Sequence, residues 1–277
     1  MPEKATVVLK TPDGEDIVCD VRSPSRHERL PAVVMFHSFM AFKDWGWFPL
    51  AAERIAEAGF VSVICNFSRN GVKENPSRIT DFEAFQNNTI SRELVDARMV
   101  LDSVAKGRIG NGRIDPARLA LLGHSRGGGI AIITASQSQN VKGLVTWSSV
   151  ATFDRWTGHQ KEQWRKLGYL PLSRDTAASP LRLGLGLLED VERNRETLDL
   201  LKAAARVRKP WLILHGHEDV LVRFSEAEQL YGAADRSTTE LLPLEHTGHT
   251  YGGAEVRVDS RIHDVIARTI DWLRPRL

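Results

Sequence analysis

Apolar and polar positions alternate over residues 5–10 and again over 15–22, on either side of Thr11-Pro12-Asp13-Gly14. Period-two alternation around a turn of that chemistry predicts an antiparallel hairpin. Beyond it the pattern changes. Short runs that are apolar at nearly every position occupy 32–36, 60–66, 119–122, 143–147, 211–214 and 239–244. A strand without a polar face needs cover on both sides, so these runs predict a sheet sandwiched between helices. Between them the apolar spacing lengthens to the helical period over about 47–58, 89–105, 125–137, 223–234 and 258–273. Gly59 and Gly107 stand just past two of these segments, where a helix C-terminus favours a residue at positive φ. Strands alternating with helices imply βαβ units. The expected fold class is therefore α/β, a doubly wound and mostly parallel sheet with the hairpin as an antiparallel edge.

Residues 151–208 break the rhythm. They are polar, carry Trp156 and Trp164, and end in an amphipathic stretch at Leu188, Val191, Leu198, Leu201, Ala204 and Ala205. They are expected to form a small lid inserted over the carboxyl ends of the strands, leaving residues 1–277 a single domain. Composition narrows the class further. With 42% hydrophobic and 26% charged residues, the chain matches an ordinary globular protein and excludes disorder and coiled coil. Its 37 basic and 35 acidic residues leave a net charge of +2, with no basic footprint for nucleic acid or an anionic membrane. No apolar run approaches the roughly 18 residues that span a bilayer. Met1-Pro2-Glu3-Lys4 lacks the profile of a signal peptide. Cys19 and Cys65 both fall in apolar stretches; a pairing is the alternative, and buried free thiols in a cytoplasmic protein are the expectation. No metal-ligand spacing is present, and no cofactor is expected. Oligomeric state is not legible.

The chemistry is concentrated in a few positions. Gly123-His124-Ser125-Arg126-Gly127 fits G-x-S-x-G and lies between an apolar run and a helical one. In that strand–turn–helix setting the pattern predicts a serine on a sharp turn, with Gly123 and Gly127 small because side chains there would collide with the turn. The helix beginning there directs its positive end toward a developing oxyanion. A serine hydroxyl needs a base, and the base an orienting acid. The run at 211–214 leads into His215-Gly216-His217-Glu218-Asp219. Asp219 is the expected acid, with Glu218 its competitor and a helix-capping role near Arg223 its alternative. After the last strand comes Glu245-His246-Thr247-Gly248-His249. His249 is the expected base and His246 its rival, while His124 reads as a spacer and His27, His159 and His263 as loop or surface residues. The oxyanion donors are expected to be the backbone N–H groups of Arg126 and of Phe39, in the loop after 32–36.

These residues together resemble the α/β-hydrolase superfamily, and within it the dienelactone-hydrolase-like and feruloyl-esterase-like branch. The likeness rests on His37-Ser38-Phe39, Gly123-His124-Ser125-Arg126-Gly127-Gly128, His215-Gly216-His217-Glu218-Asp219 and Gly248-His249-Thr250, and it spans roughly residues 5–275. It implies the α/β-hydrolase fold and a lid over an acyl-ester pocket. Position 38 is Ser where the resemblance has Gly. If that position requires positive φ, Ser38 narrows the oxyanion loop.

The expected activity is hydrolysis of small-molecule carboxylic esters through an acyl-serine, with Ser125 as nucleophile, His249 as base and Asp219 as its orienting acid. An aminopeptidase- or acylpeptidase-like enzyme and a non-catalytic binding protein on the same fold are the alternatives. His37, Met40, Trp45, Trp156 and Trp164 are candidate substrate contacts, with Tyr169 and Leu170 as further lid candidates. The Arg126 side chain is expected either to meet an acidic group of the substrate or to face solvent.

Overall fold

A computed structural model describes residues 1–25, 28–73, 75–172, 181–252 and 260–277. His27, residues 173–180 of the expected lid and the first two residues of the helix expected at 258–273 lie outside these. The hairpin is formed by β1 (Glu3–Lys10) and β2 (Asp16–Ser23), paired antiparallel with Lys10 opposite Asp16. Strands β3 (Leu30–Phe36), β4 (Val61–Cys65), β5 (Ile114–His124), β6 (Val141–Trp147), β9 (Trp211–Gly216) and β10 (Thr239–Leu244) pair parallel with one another. Strand order is β1-β2-β4-β3-β5-β6-β9-β10, and β2 joins β4 antiparallel.

The strands are apolar throughout because their alternate side chains enter two different cores. Val33 and Met35 of β3 pack with Phe48, Ala52 and Ile55 of α1 (Phe48–Glu57) and with Ile262, Ile266 and Leu273 of α9 (Ser260–Leu273). Ala32, Val34 and Phe36, one residue out of step, face the opposite side. There they meet Leu94, Ala97 and Leu101 of α3 (Ile90–Ala105), Ile130 and Ile133 of α4 (Arg126–Gln137), and Ala227 and Leu230 of α8 (Phe224–Ala233). Gly59 and Gly107 take φ of +103° and +71° beyond α1 and α3, as their positions predict.

Three expectations need correction. The run at 239–244 is not covered on both faces: β10 is the sheet edge, and its Glu240 and Pro243 are exposed. A short helix, α2 (Phe82–Gln86), was not foreseen; Asp81 caps it by accepting the Ala84 N–H at 2.9 Å. The amphipathic end of the insertion is not one continuous stretch. Among the described residues the insertion holds α5 (Gly158–Leu167), the two-stranded β7 (Tyr169–Pro171) and β8 (Arg182–Gly184), α6 (Leu185–Arg193) and α7 (Leu200–Ala204). The turn between α6 and α7, where Asp199 accepts the Lys202 N–H at 3.0 Å, resets the helical phase. Leu188, Val191, Leu198 and Ala204 are therefore buried, but Leu201 and Ala205 are exposed. Cys19 and Cys65 are free, buried and opposite each other across β2 and β4.

Candidate active site

Four loops leave the carboxyl ends of β3, β5, β9 and β10 and gather at one edge of the sheet. Parallel α/β sheets bind ligands there, because helix N-termini and loops converge where the strands end. Between β5 and α4 the chain reverses over a single residue, Ser125, at φ +56° and ψ −119°. A non-glycine residue seldom adopts this backbone, and surrounding structure must hold it. The hold comes from two glycines and one hydrogen bond. A Cβ on Gly123 would lie 2.2 Å from the Gly127 carbonyl oxygen, and one on Gly127 would lie 2.4 Å from the carbonyl oxygens of Phe36 and His37. The Ser125 N–H donates to Trp147 O at 2.9 Å. Its hydroxyl makes no capping bond to the helix, and Ser125 lines a cavity of about 580 Å³.

Asp219 stands just beyond β9. Its Oδ1 accepts the N–H groups of Leu221 and Val222 at 2.9 and 2.8 Å, and its Oδ2 lies 2.7 Å from His249 Nδ1. The two roles weighed for Asp219 are thus divided between its oxygens, one tying the turn before α8 and one meeting an imidazole. A carboxylate only accepts, so His249 Nδ1 carries the proton and Nε2 is left as an acceptor. Burial pushes the Asp219 carboxyl upward, but the hydrogen bond from His249 and the Val222 N–H outweigh it and leave the group below its ordinary value. His249 lines the same cavity as Ser125. The competitor Glu218 and the rival His246 pair with each other instead, at 3.1 Å on the surface.

The loop carrying His249 is fastened from three sides. His124 Nε2 donates to the His249 carbonyl at 2.9 Å, Trp47 Nε1 donates to the Thr250 carbonyl at 3.1 Å, and Tyr251 donates its hydroxyl proton to Ser148 Oγ at 2.9 Å. Burial drives the His124 pKa well down, and its bond to a carbonyl fixes the proton on Nε2. Read from the sequence as a spacer, His124 is in fact an anchor of the His249 loop. A histidine in the first x of the elbow was the only signal for it.

Phe39 and Arg126 both line the cavity, and among the described residues their backbone N–H groups find no acceptor. Ser38 does not take positive φ; Met40 does, at +58°. The substitution at 38 therefore leaves the loop unstrained at that position. His37 is not a cavity contact. Its ring is buried, Nδ1 donates to Ser38 O at 2.9 Å and Nε2 accepts the Phe67 N–H at 3.4 Å. Burial lowers its pKa to about 4, so it holds the loop as a neutral ring. Met40, Trp45 and Trp156 line the cavity. Trp164 does not: it is fully buried, edge-on to Trp156 with ring centroids 4.9 Å apart. Tyr169 lies under the Arg182 guanidinium and Leu170 packs on the core.

The Arg126 side chain lines the cavity rather than projecting into solvent. Its Nε donates to Glu93 Oε2 at 3.3 Å, and its guanidinium lies over the Phe39 ring at 4.5 Å. Glu93, buried on α3, also accepts from Asn88 Nδ2 at 2.8 Å. Burial raises the Glu93 pKa against the opposing pull of Arg126 and Asn88. No motif or spacing along the chain pointed to Glu93. Among the described residues no group of His, Cys, Asp and Glu side chains could hold a metal ion, and no helix is long and apolar enough to cross a membrane.

The fold is that of the α/β hydrolases. Residues 20–163 match the dienelactone hydrolase family, and the chain belongs to that family; it is accordingly a hydrolase. No curated protein sequence matches it. Among solved structures it is similar to the α/β hydrolase GrgF from Penicillium sp. sh18, at 16% identity over 99% of both chains with a TM-score of 0.74. It is similar to Est1E from Butyrivibrio proteoclasticus, at 17% identity over 98% of both chains with a TM-score of 0.70. The esterase domain of a Rhodothermus marinus protein matches at 18% identity over 99% of this chain and 98% of that one, with a TM-score of 0.66. At such identities the likeness establishes the fold.

Proposed function

We propose that this hydrolase cleaves carboxylic esters of small molecules through an acyl-serine. The observation that carries the reading is the His249 imidazole, bonded through Nδ1 to a buried carboxylate and lining the same cleft as Ser125. Ser125 Oγ attacks the ester carbonyl while His249 Nε2 takes its proton. The His249 proton then passes to the departing alcohol, and water, activated by the same nitrogen, releases the acid. Asp219 keeps the imidazole in the required tautomer and stabilises its charged form. The N–H groups of Phe39 and Arg126 receive the oxyanion, each contributing on the order of 3 kcal/mol in such sites.

We further propose one domain over residues 1–277, with 151–208 as its lid. The segment supplies Phe153, Trp156, Leu183 and Leu187 to the cavity wall, which suits an apolar group beside the scissile bond. Est1E, similar in fold, has been solved with ferulic acid bound, which adds support for an acyl pocket at this edge of the sheet. A fluorophosphonate probe is expected to label the protein at Ser125, with peptide mass mapping to locate the adduct. Equal labelling of Ser125→Ala, or absence of labelling in native protein that hydrolyses no aryl ester, would remove this reading.

A further inference from the structure

Among the described residues the cleft wall contains two guanidinium groups, Arg126 and Arg155, and each is matched by a carboxylate that is not part of the acid–imidazole pair. Arg126 donates through Nε to Glu93, which sits beneath the cleft with 5% of its surface exposed and is held on its other oxygen by Asn88. Its flat face is covered by the Phe39 ring. Arg155, at the rim, donates through Nη1 to both oxygens of Glu226, at 2.8 and 2.7 Å, and through Nη2 to Leu221 O at 2.8 Å. Glu226 is itself fixed by the Ala151 N–H at 2.8 Å. Among the described residues the remaining ionisable groups at the wall are histidines. His124 is buried and neutral, and His249 faces Asp219, so that pair carries no positive charge in excess. Most of the rest of the wall, including Trp45, Ile90, Phe153 and Leu187, is apolar.

We infer that Glu93, by neutralising Arg126 from beneath the cleft, makes the site select esters whose acyl part is uncharged and apolar. The inference rests on the ester-hydrolase reading and goes beyond it to the substrate class and to a residue that sets it. A carboxylate on the substrate would leave water for a wall whose positive charges are already cancelled. Beside Arg126 it would also stand near the Glu93 carboxylate, so it would lose hydration without gaining a net counter-charge. An uncharged chain of similar size loses nothing of the kind and gains contact with the aromatic and aliphatic wall. Glu93 is a positioning residue here: it acts on substrate only through Arg126. Because the discriminating group is remote from the scissile carbonyl, the selection belongs in KM more than in kcat.

The test compares dimethyl adipate with monomethyl adipate, which differ by one free carboxylate, at mildly alkaline pH where the half-ester is ionised. Native enzyme is expected to favour the diester in kcat/KM by on the order of tenfold or more. Glu93→Gln keeps the shape and the Arg126 hydrogen bond but removes the charge, and it is expected to narrow that ratio by on the order of tenfold, chiefly through KM of the half-ester. Glu93→Asp retains the charge and is expected to restore most of the preference. Should the Gln variant fail to fold, Glu93→Met offers an uncharged side chain of similar length. A purely structural role for Glu93 would depress turnover of both esters alike and leave their ratio unchanged. Equal or better hydrolysis of the half-ester by native enzyme overturns the inference, as does a ratio unmoved in every folded uncharged variant. Failure to hydrolyse either ester, with no fluorophosphonate labelling, is a different result and removes the ester reading beneath it.

Discussion

Of the acid–imidazole pairs that join the loops after β9 and β10, two make an unequal comparison. Asp219 meets His249 at 2.7 Å, while Glu218 meets His246 at 3.1 Å. The acids are adjacent in sequence and the histidines three residues apart. The first pair is enclosed, with side chains 0% and 11% exposed, and the second is open, at 63% and 89%. In water the two partners of an ion pair gain little over their separate hydration, and such pairs contribute about 0–1 kcal/mol. A carboxylate withdrawn from water must be satisfied, and Asp219 is satisfied by two backbone N–H groups and one imidazole. Enclosure therefore fixes the His249 tautomer at the cavity wall, while exposure leaves His246 free to turn. A hydrogen bond between an acid and a histidine is common to both pairs; burial and a place on the cavity wall belong to one of them.

The comparison can be broken most sharply at the cleft. Ser125→Ala and His249→Ala are each expected to lower kcat for an aryl ester by about 10⁴-fold or more, measured as initial rates with folding checked by circular dichroism. A His249→Ala enzyme retaining a tenth of native activity would shift the weight to His246. Asp219→Asn is expected to reduce kcat by about 10³- to 10⁴-fold, because an amide in that place no longer enforces Nδ1–H; steady-state kinetics across pH measure it.

Asp96 sharpens the contrast from the side of stability. It is buried like Asp219 and accepts the Ser68 N–H at 2.7 Å, but no imidazole faces it. Burial raises its pKa from 3.8 to about 6, against the Ser68 hydrogen bond and the charge of Arg92. An acid that binds its proton more tightly folded than unfolded contributes stability below pH about 4, and that contribution fades as pH rises through about 6. Asp96→Asn escapes the loss. Urea unfolding is expected to show the variant gaining at most about 3 kcal/mol on native protein above that window and little below it. The smallest effects belong to the exposed pair: Glu218→Gln and His246→Ala are expected to change kcat/KM by less than about twofold and stability by less than about 1 kcal/mol.

Much of this was legible beforehand, for reasons that differ by residue. Ser125 was readable because the elbow imposes its own grammar: a Cβ at position 123 or 127 would meet backbone within 2.4 Å, so glycines must flank it. Asp219 and His249 were readable because strands β9 and β10 end just before them. Glu93 was not. Its α3 neighbours follow the apolar period of a packed helix, and nothing along the chain points to Arg126, 33 residues later. His37 and Trp164 failed as cavity contacts for a related reason. Composition says that an imidazole or an indole is present, but which wall it serves depends on the side of the backbone from which it leaves. The insertion was seen as an interruption, and its division into separate helices was hidden because the turn at 194–199 shifts the apolar phase without ending it.

The chain alone dictated the alternation of strands and helices, the covered sheet, the turn that presents a serine and the order of its partners. Those follow from local sterics and from periodicity, which act over a few neighbours at a time. Three dimensions decided which imidazole is enclosed, which tryptophan meets the cavity, and which carboxylate cancels the charge of Arg126. Such choices depend on how much water remains around a group once distant segments have packed, and no stretch of linear sequence carries that quantity.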